Sequence, residues 1–173
     1  MQKIVTIGGG TGHFAVLEGL KNKADITAVV TSFDSGGSSG KLREEFGTLP
    51  FGDLRRCLVA LSESEQLMRD LFEYRYEENG SLKGHVFGNL FMLTLVKITG
   101  SYEKAIGELG KILAIKGKVL PCTLEEKVNL CAELDNGKVI EGEDKIGEYK
   151  LHYNLEIKKV SLKPQPIAYP KAI

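Results

Sequence analysis

The stretch Ile4-Val5-Thr6-Ile7-Gly8-Gly9-Gly10-Thr11-Gly12 joins a short β-branched run to a glycine-rich loop, and Phe14-Ala15-Val16-Leu17-Glu18-Gly19-Leu20 continues as a periodic apolar segment. The first run predicts a strand, and the segment behind the loop predicts a helix over 13–21. Glycines let the backbone turn tightly and approach a ligand closely, and the unpaired N–H groups at a helix start attract anions. Phosphate fits this chemistry, with Gly9, Gly10, Thr11 and Gly12 as candidate contacts; the alternative is a tight turn that binds nothing. Gly8-x-Gly10 begins a dinucleotide fingerprint, but His13 stands where its third glycine belongs, which weighs against an NAD-dependent oxidoreductase.

Ile26 to Val30 repeats the strand pattern and leads into Asp34-Ser35-Gly36-Gly37-Ser38-Ser39-Gly40-Lys41-Leu42-Arg43. Backbone donors, hydroxyls and two cations in one short stretch are again a chemistry for anions, here with Gly37, Ser38, Ser39 and Arg43 as candidates. Asp34 suits either a ribose hydroxyl or the amides of its own loop. Two such strands with a crossover helix make a βαβ unit, and continuous apolar runs predict strands buried on both faces of a parallel sheet. Loops at the carboxyl ends of neighbouring strands open on one crevice, where ligands bind in α/β sheets.

Farther along, Leu54, Cys57, Leu58 and Leu61 recur at helical spacing behind Gly52-Asp53, which makes Asp53 a candidate N-cap, and Ser62-x-x-Glu65 reads as a capping box. His85 to Ile98 is apolar nearly all round and predicts a central buried helix with His85 and Asn89 on one face near its start. Both are candidate ligand contacts, although His85 suits a helix cap equally; an amide in apolar surroundings needs a partner. Arg55 and Arg56 fit a phosphate clamp or a solvated helix face. Asp34 and Asp53 fit a Mg²⁺ bridging the phosphates of a bound nucleotide if they converge. No other metal or hydrolytic motif is visible.

Tyr102 to Leu113 predicts an amphipathic helix and Lys118 to Pro121 a third sheet strand. Strict alternation from Lys127 to Leu134, the turn Asp135-Asn136-Gly137 and the return Lys138-Val139-Ile140 predict a β-hairpin, followed by a strand near Leu155 to Leu162. The expected fold is α/β: a Rossmann-like, mostly parallel sheet with flanking helices and a C-terminal antiparallel β-hairpin region. One domain spans 1–173, with the hairpin region as an insertion over 123–162.

Lys plus Arg and Asp plus Glu both number 23 among 173 residues, so no global field points to nucleic acid and the expected partner is small. Cys57, Cys122 and Cys131 have no CxxC spacing and sit in apolar patterns, as reduced thiols of a cytoplasmic protein do. No signal pattern or membrane-length apolar stretch is present.

Five linked motifs sharpen this picture: the two glycine loops, Pro50-Phe51-Gly52-Asp53-Leu54-Arg55, Gly84-His85-Val86-Phe87-Gly88-Asn89-Leu90, and Val119-Leu120-Pro121. In order and spacing they resemble the gluconeogenesis factor family, the YvcK-like branch of the CofD-like superfamily. The resemblance implies a cytoplasmic bacterial protein that binds a nucleotide sugar of the UDP-N-acetylglucosamine type and acts in cell shape and wall synthesis during gluconeogenic growth. The sister branch implies an enzymatic alternative, Mg²⁺-dependent transfer of a phospholactate group from a nucleotide-activated donor by a 2-phospho-L-lactate transferase. Many family members resemble this chain at Asp34 but continue with a second Asp where it has Ser35. They also extend beyond the segment resembling Tyr169 to Ile173, so the expected domain is the N-terminal half of the family fold, complete only with more chain or as a homo-oligomer.

Overall fold

The computed structural model describes residues 1–152 and 156–173. Strands β1 (Gln2–Gly8), β2 (Ala24–Val30) and β3 (Lys118–Pro121) form a parallel sheet in the order β1-β2-β3, with Ile4 opposite Ile26 and Ala28 opposite Val119. Because all three run the same way, the loops leaving β1 and β2 open on one edge of the sheet. Six helices accompany it: α1 (Gly10–Leu20), α2 (Gly37–Phe46), α3 (Gly52–Ala60), α4 (Gln66–Glu73), α5 (Phe87–Thr99) and α6 (Tyr102–Ile112). This is the expected Rossmann-like α/β architecture.

The core explains the packing order. Ile26, Ala28 and Val30 on β2 meet Leu17 of α1, Leu54 and Leu58 of α3 and Leu109 of α6, all essentially free of solvent. Each such leucine contributes about 1.5–3 kcal/mol by leaving water, which makes α3, packed against both α1 and the sheet, the central strut. β1 departs from the expected two-sided burial: Val5 is 65% and Ile7 79% exposed. It is an edge strand, and its apolar composition meets helices on one face only.

Four local expectations also change. α5 starts at Phe87, so His85 precedes the helix and Val86 occupies its N-cap position. Its burial is one-sided, with Met92 and Asn89 inside but Ile98 exposed, because α3, α4 and α6 cover one flank only. The N-cap position of α3 belongs to Phe51, and Asp53 lies in the first turn, where its charge complements the helix dipole. The expected capping box also fails, since Glu65 caps α4 by position while the Ser62 hydroxyl donates to the Leu113 carbonyl at 2.7 Å.

A second, antiparallel sheet follows, with β5 (Val139–Glu141), β4 (Asn129–Leu134) and β6 (Ile157–Lys163) in the order β5-β4-β6. The hairpin turn is the expected one, with the Gly137 amide donating to the Leu134 carbonyl at 3.0 Å. Leu155, the start of the expected final strand, lies outside the described residues. Between β5 and β6 the structure adds α7 (Glu143–His152), which no apolar stripe announces. Its first turn is anchored instead by a distant hydroxyl: the Asp144 amide donates to Ser35 Oγ at 3.1 Å, and that hydroxyl donates to Asp144 Oδ1 at 2.5 Å. Arg43 fastens the same region to α2 by donating to the carbonyls of Glu126, at 3.1 Å, and Val128.

Candidate functional site

Both glycine loops line one crevice of about 610 Å³ at the carboxyl ends of β1 and β2. The first turns of four helices border it: Gly10 of α1, Gly37 of α2, Gly52 and Asp53 of α3, and Asn89 of α5 beside its N-cap Val86. Helix starts leave amides without the usual partner four residues back, although that of Asn89 donates to the Val86 carbonyl at 3.0 Å, and the four dipoles bring their positive ends to the same space.

The first loop depends on close approach. A Cβ on Gly9 would lie 2.2 Å from Thr31 Oγ1 and 2.3 Å from Asp53 Oδ2, so any side chain there would displace both of these groups. Gly10 follows at φ +68°, in the left-handed region, and turns the chain into α1. His13 packs beneath the loop, its Nε2 2.8 Å from Thr6 Oγ1 and its Nδ1 3.6 Å from Cys57 Sγ. Burial pushes the Cys57 thiol up to about 12, with the Asp53 charge adding to the effect, so it remains a neutral packing group.

The serines of the second loop act as struts. Ser39 Oγ accepts from the Gly52 amide at 2.9 Å, and Ser38 Oγ accepts from the Val86 amide at 3.1 Å and from Asn89 Nδ2 at 3.2 Å. Together they fasten the N-terminus of α2 to those of α3 and α5. Asp34 caps its own loop, Oδ1 accepting from the Gly36 amide at 2.9 Å, and also lines the crevice.

Three arginines reach the crevice. Arg55 is 5% exposed; its Nε donates to Asn89 Oδ1 at 3.1 Å and its Nη1 to the Phe72 carbonyl at 3.3 Å. Burial lowers its pKa to about 10, opposed by Glu73 at 3.9 Å, so the guanidinium is charged at neutral pH but poorly compensated. Arg56 sits 3.6 Å from Asp53, and Arg75 Nη1 donates to the Gly84 carbonyl at 2.7 Å. Glu143 of α7 faces Asp34 and Asp53 across the crevice, and burial, then the charges of Asp34, Asp144 and Asp53, raise its pKa.

Of the candidates named from sequence, Gly9, Gly10, Asp34, Gly37, Ser38, Ser39, Gly52, Asp53 and Asn89 come together here. Thr11 and Gly12 point outward on the first turn of α1. Arg43 is committed to the carbonyls of the second sheet's approach, and His85 is buried behind the wall with its Nδ1 3.5 Å from Ser38 Oγ. Asp34 and Asp53 share the crevice, but among the described residues no group of three His, Cys, Asp or Glu is placed to hold a metal. A Mg²⁺ ion there would need phosphate oxygens or water to complete its shell. Sequence reasoning missed Glu143 and Arg75; it left Arg55 open, although an arginine next to Leu54 and four residues before Val59 was a visible sign of a buried cation.

Fold and crevice define a Rossmann-like α/β protein whose strand ends carry a pocket ringed by helix N-termini. Within that class the chain belongs to the CofD family: the family model described as 2-phospho-L-lactate transferase CofD matches residues 4–173. Among its relatives, the Bacillus subtilis gluconeogenesis factor is 46% identical over 166 residues, 95% of this chain and 51% of that protein. A Nostoc sp. relative is 54% identical over 145 residues, 83% of this chain and 32% of its own length. The crystal structure of a Bacillus halodurans protein superimposes with a TM-score of 0.88 at 41% identity, covering 96% of this chain and 54% of that one. The chain thus spans about a third to a half of the length of the curated relatives it matches. Among the described residues no helix is long and apolar enough to cross a membrane.

Proposed function

We propose that this chain forms the nucleotide-sugar-binding portion of a gluconeogenesis factor, with a diphosphate seated among the helix N-termini and a sugar of the N-acetylglucosamine type beside it. The observation that carries this reading is the convergence of four helix starts and the buried Arg55 on one crevice that also offers acidic hydrogen-bond acceptors. Amides and guanidinium groups neutralise phosphate, while carboxylates recognise hydroxyls, so the ligand carries both. A cytoplasmic role in cell shape and wall synthesis under gluconeogenic growth follows from the family resemblance. Calorimetric titration tests the binding: saturable heat with UDP-N-acetylglucosamine is expected, and folded protein giving no heat with UDP-sugars or other nucleotides would refute it.

The family model's description favours a second reading, group transfer from a nucleotide-activated donor. Formation of product from a guanylyl-phospholactate donor and a deazaflavin acceptor would establish it. Absence of turnover by the full-length protein would exclude it.

A further inference from the structure

Among the crevice arginines, Arg56 is met by Asp53 and Arg75 stands in solvent, but Arg55 is buried with its charge only partly met. Its stem lies so close to α5 that a Cβ on Gly88 would come within 2.6 Å of Arg55 Cδ. Its Nε and Nη1 are engaged by Asn89 Oδ1 and the Phe72 carbonyl. The remaining nitrogen, Nη2, has no hydrogen-bond partner among the described residues, and it is not one of the polar atoms sealed from solvent, so it opens on the crevice that Arg55 lines. The acidic neighbour, Glu73, stands 3.9 Å from Nη1, beyond hydrogen-bond reach, and its side chain is 47% exposed, so water screens much of its field. Burial lowers the pKa of Arg55 to about 10, Glu73 opposing and Arg56 and Arg75 adding to the effect, yet at neutral pH the group keeps its charge. A buried cation with free N–H donors is unfavourable unless an acceptor reaches it.

This cation lies apart from the first glycine loop. On α3, Asp53 and Arg56 share the flank beside Gly9 and Thr31, whereas Arg55 turns to α5 and is joined through Asn89 to Ser38. One unmet positive charge in a poorly hydrated corner matches one negative charge. A carboxylate supplies that, whereas a phosphate monoester brings about 1.5–2 charges at neutral pH. We propose that Arg55 reads a carboxylate on the sugar of the bound nucleotide sugar, Nη2 donating to it, so that the crevice favours nucleotide sugar acids over neutral nucleotide sugars. This rests on the nucleotide-sugar reading and narrows its ligand class. Asn89 and the Phe72 carbonyl hold the guanidinium in place before the ligand arrives, so little side-chain freedom is lost on binding. A neutral sugar offers Nη2 only a hydroxyl oxygen, a weaker acceptor that leaves the charge unmet.

The test is calorimetric titration of purified full-length protein with UDP-glucose and UDP-glucuronate, a pair that differs only in an alcohol against a carboxylate on the sugar. Wild type is expected to bind UDP-glucuronate about tenfold more tightly, the scale of one hydrogen bond between charged groups. Because the cation is buried, that preference is expected to hold when salt is raised from about 0.05 to about 0.5 M, whereas one owed to an exposed arginine would fade. Arg55→Met keeps the length of the side chain and removes its charge, so the preference is expected to vanish whatever happens to the affinity for both ligands. The ratio between the two ligands is what a merely structural role of Arg55 would leave unmoved. Equal wild-type affinities for the pair, a preference that fades with salt, or one that survives in Arg55→Met would each overturn the assignment while leaving nucleotide-sugar binding intact. Where Arg55→Met does not fold, the wild-type ratio and its salt dependence decide. Wild-type protein that binds neither UDP-sugar would instead refute the nucleotide-sugar reading, and with it this one.

Discussion

Asn89 is the hinge of the crevice wall, and replacing it separates stability from ligand binding. Its Oδ1 accepts from Arg55 Nε at 3.1 Å, and its Nδ2 donates to Ser38 Oγ at 3.2 Å, with Ser39 Oγ farther off at 3.5 Å. All of this is buried, Asn89 being 2% and Arg55 5% exposed. Asn89→Ala removes a hydrogen bond to a charged group, worth about 1.5–3 kcal/mol, and one between neutral groups, worth about 1 kcal/mol. The expected loss is therefore about 3 kcal/mol, which for a chain of this size lowers the thermal midpoint by roughly 6–12 °C. Asn89→Asp behaves differently. The carboxylate keeps the Arg55 contact and Ser38 can turn to donate, so stability stays within about 1 kcal/mol of wild type. Yet a negative charge now stands at the start of α5 beside the crevice, and affinity for a phosphate ligand is expected to fall by roughly a hundredfold, the cost of about 3 kcal/mol of repulsion near buried charge. Denaturant titration and calorimetry on the same samples read both quantities. An Asn89→Ala variant within 1 kcal/mol of wild type, or an Asn89→Asp variant that binds normally, would refute the reasoning.

Gly10→Val is expected to leave the fold standing with a loss of about 1–3 kcal/mol, since a β-branched residue at φ +68° is strained, while ligand affinity disappears in calorimetry. Arg56→Ala breaks an ion pair with Asp53 that is 3.6 Å long and one-third exposed on the arginine side, so stability should change by less than about 1 kcal/mol. Affinity for a diphosphate should nonetheless fall about tenfold, with a weaker salt dependence than wild type. Cys57 gives a pH signature: its thiol rises from an ordinary 9.0 to about 12, so the folded state holds the proton more tightly than the unfolded one. Its contribution is complete below pH 9.0 and is lost as pH climbs toward 12, so a Cys57→Ala variant should show a shallower fall in stability between those values in denaturant titrations.

The sheet and its helices were legible because their signals are local. Ile4–Ile7 and Ile26–Val30 carry β-branched continuity, the glycine loops punctuate them, and Asn136-Gly137 marks the hairpin without help from elsewhere. The glycine candidates were legible for the same reason: Gly10 and Gly37 are favoured by the left-handed turns they make, at φ +68° and +52°. What escaped was set by contacts distant in sequence. Glu143 meets the crevice only because Ser35 clamps α7 from 109 residues away, and a charge-rich segment with no apolar stripe gives no sign of that. Arg43 resembled a phosphate ligand in its local setting, but the carbonyls of Glu126 and Val128 claim it. The exposure of Val5 and Ile7 was equally hidden, since an edge strand and a central one have the same composition.

The most direct measurement is a crystal structure of the complex with UDP-N-acetylglucosamine. The account predicts the diphosphate within hydrogen-bond distance of the amides around Gly9–Gly10 and Gly36–Gly37, with Arg56 against it. A ligand bound instead in the apolar hollow of about 520 Å³ between α6 and β3, or a crevice left empty under saturating ligand, would contradict it.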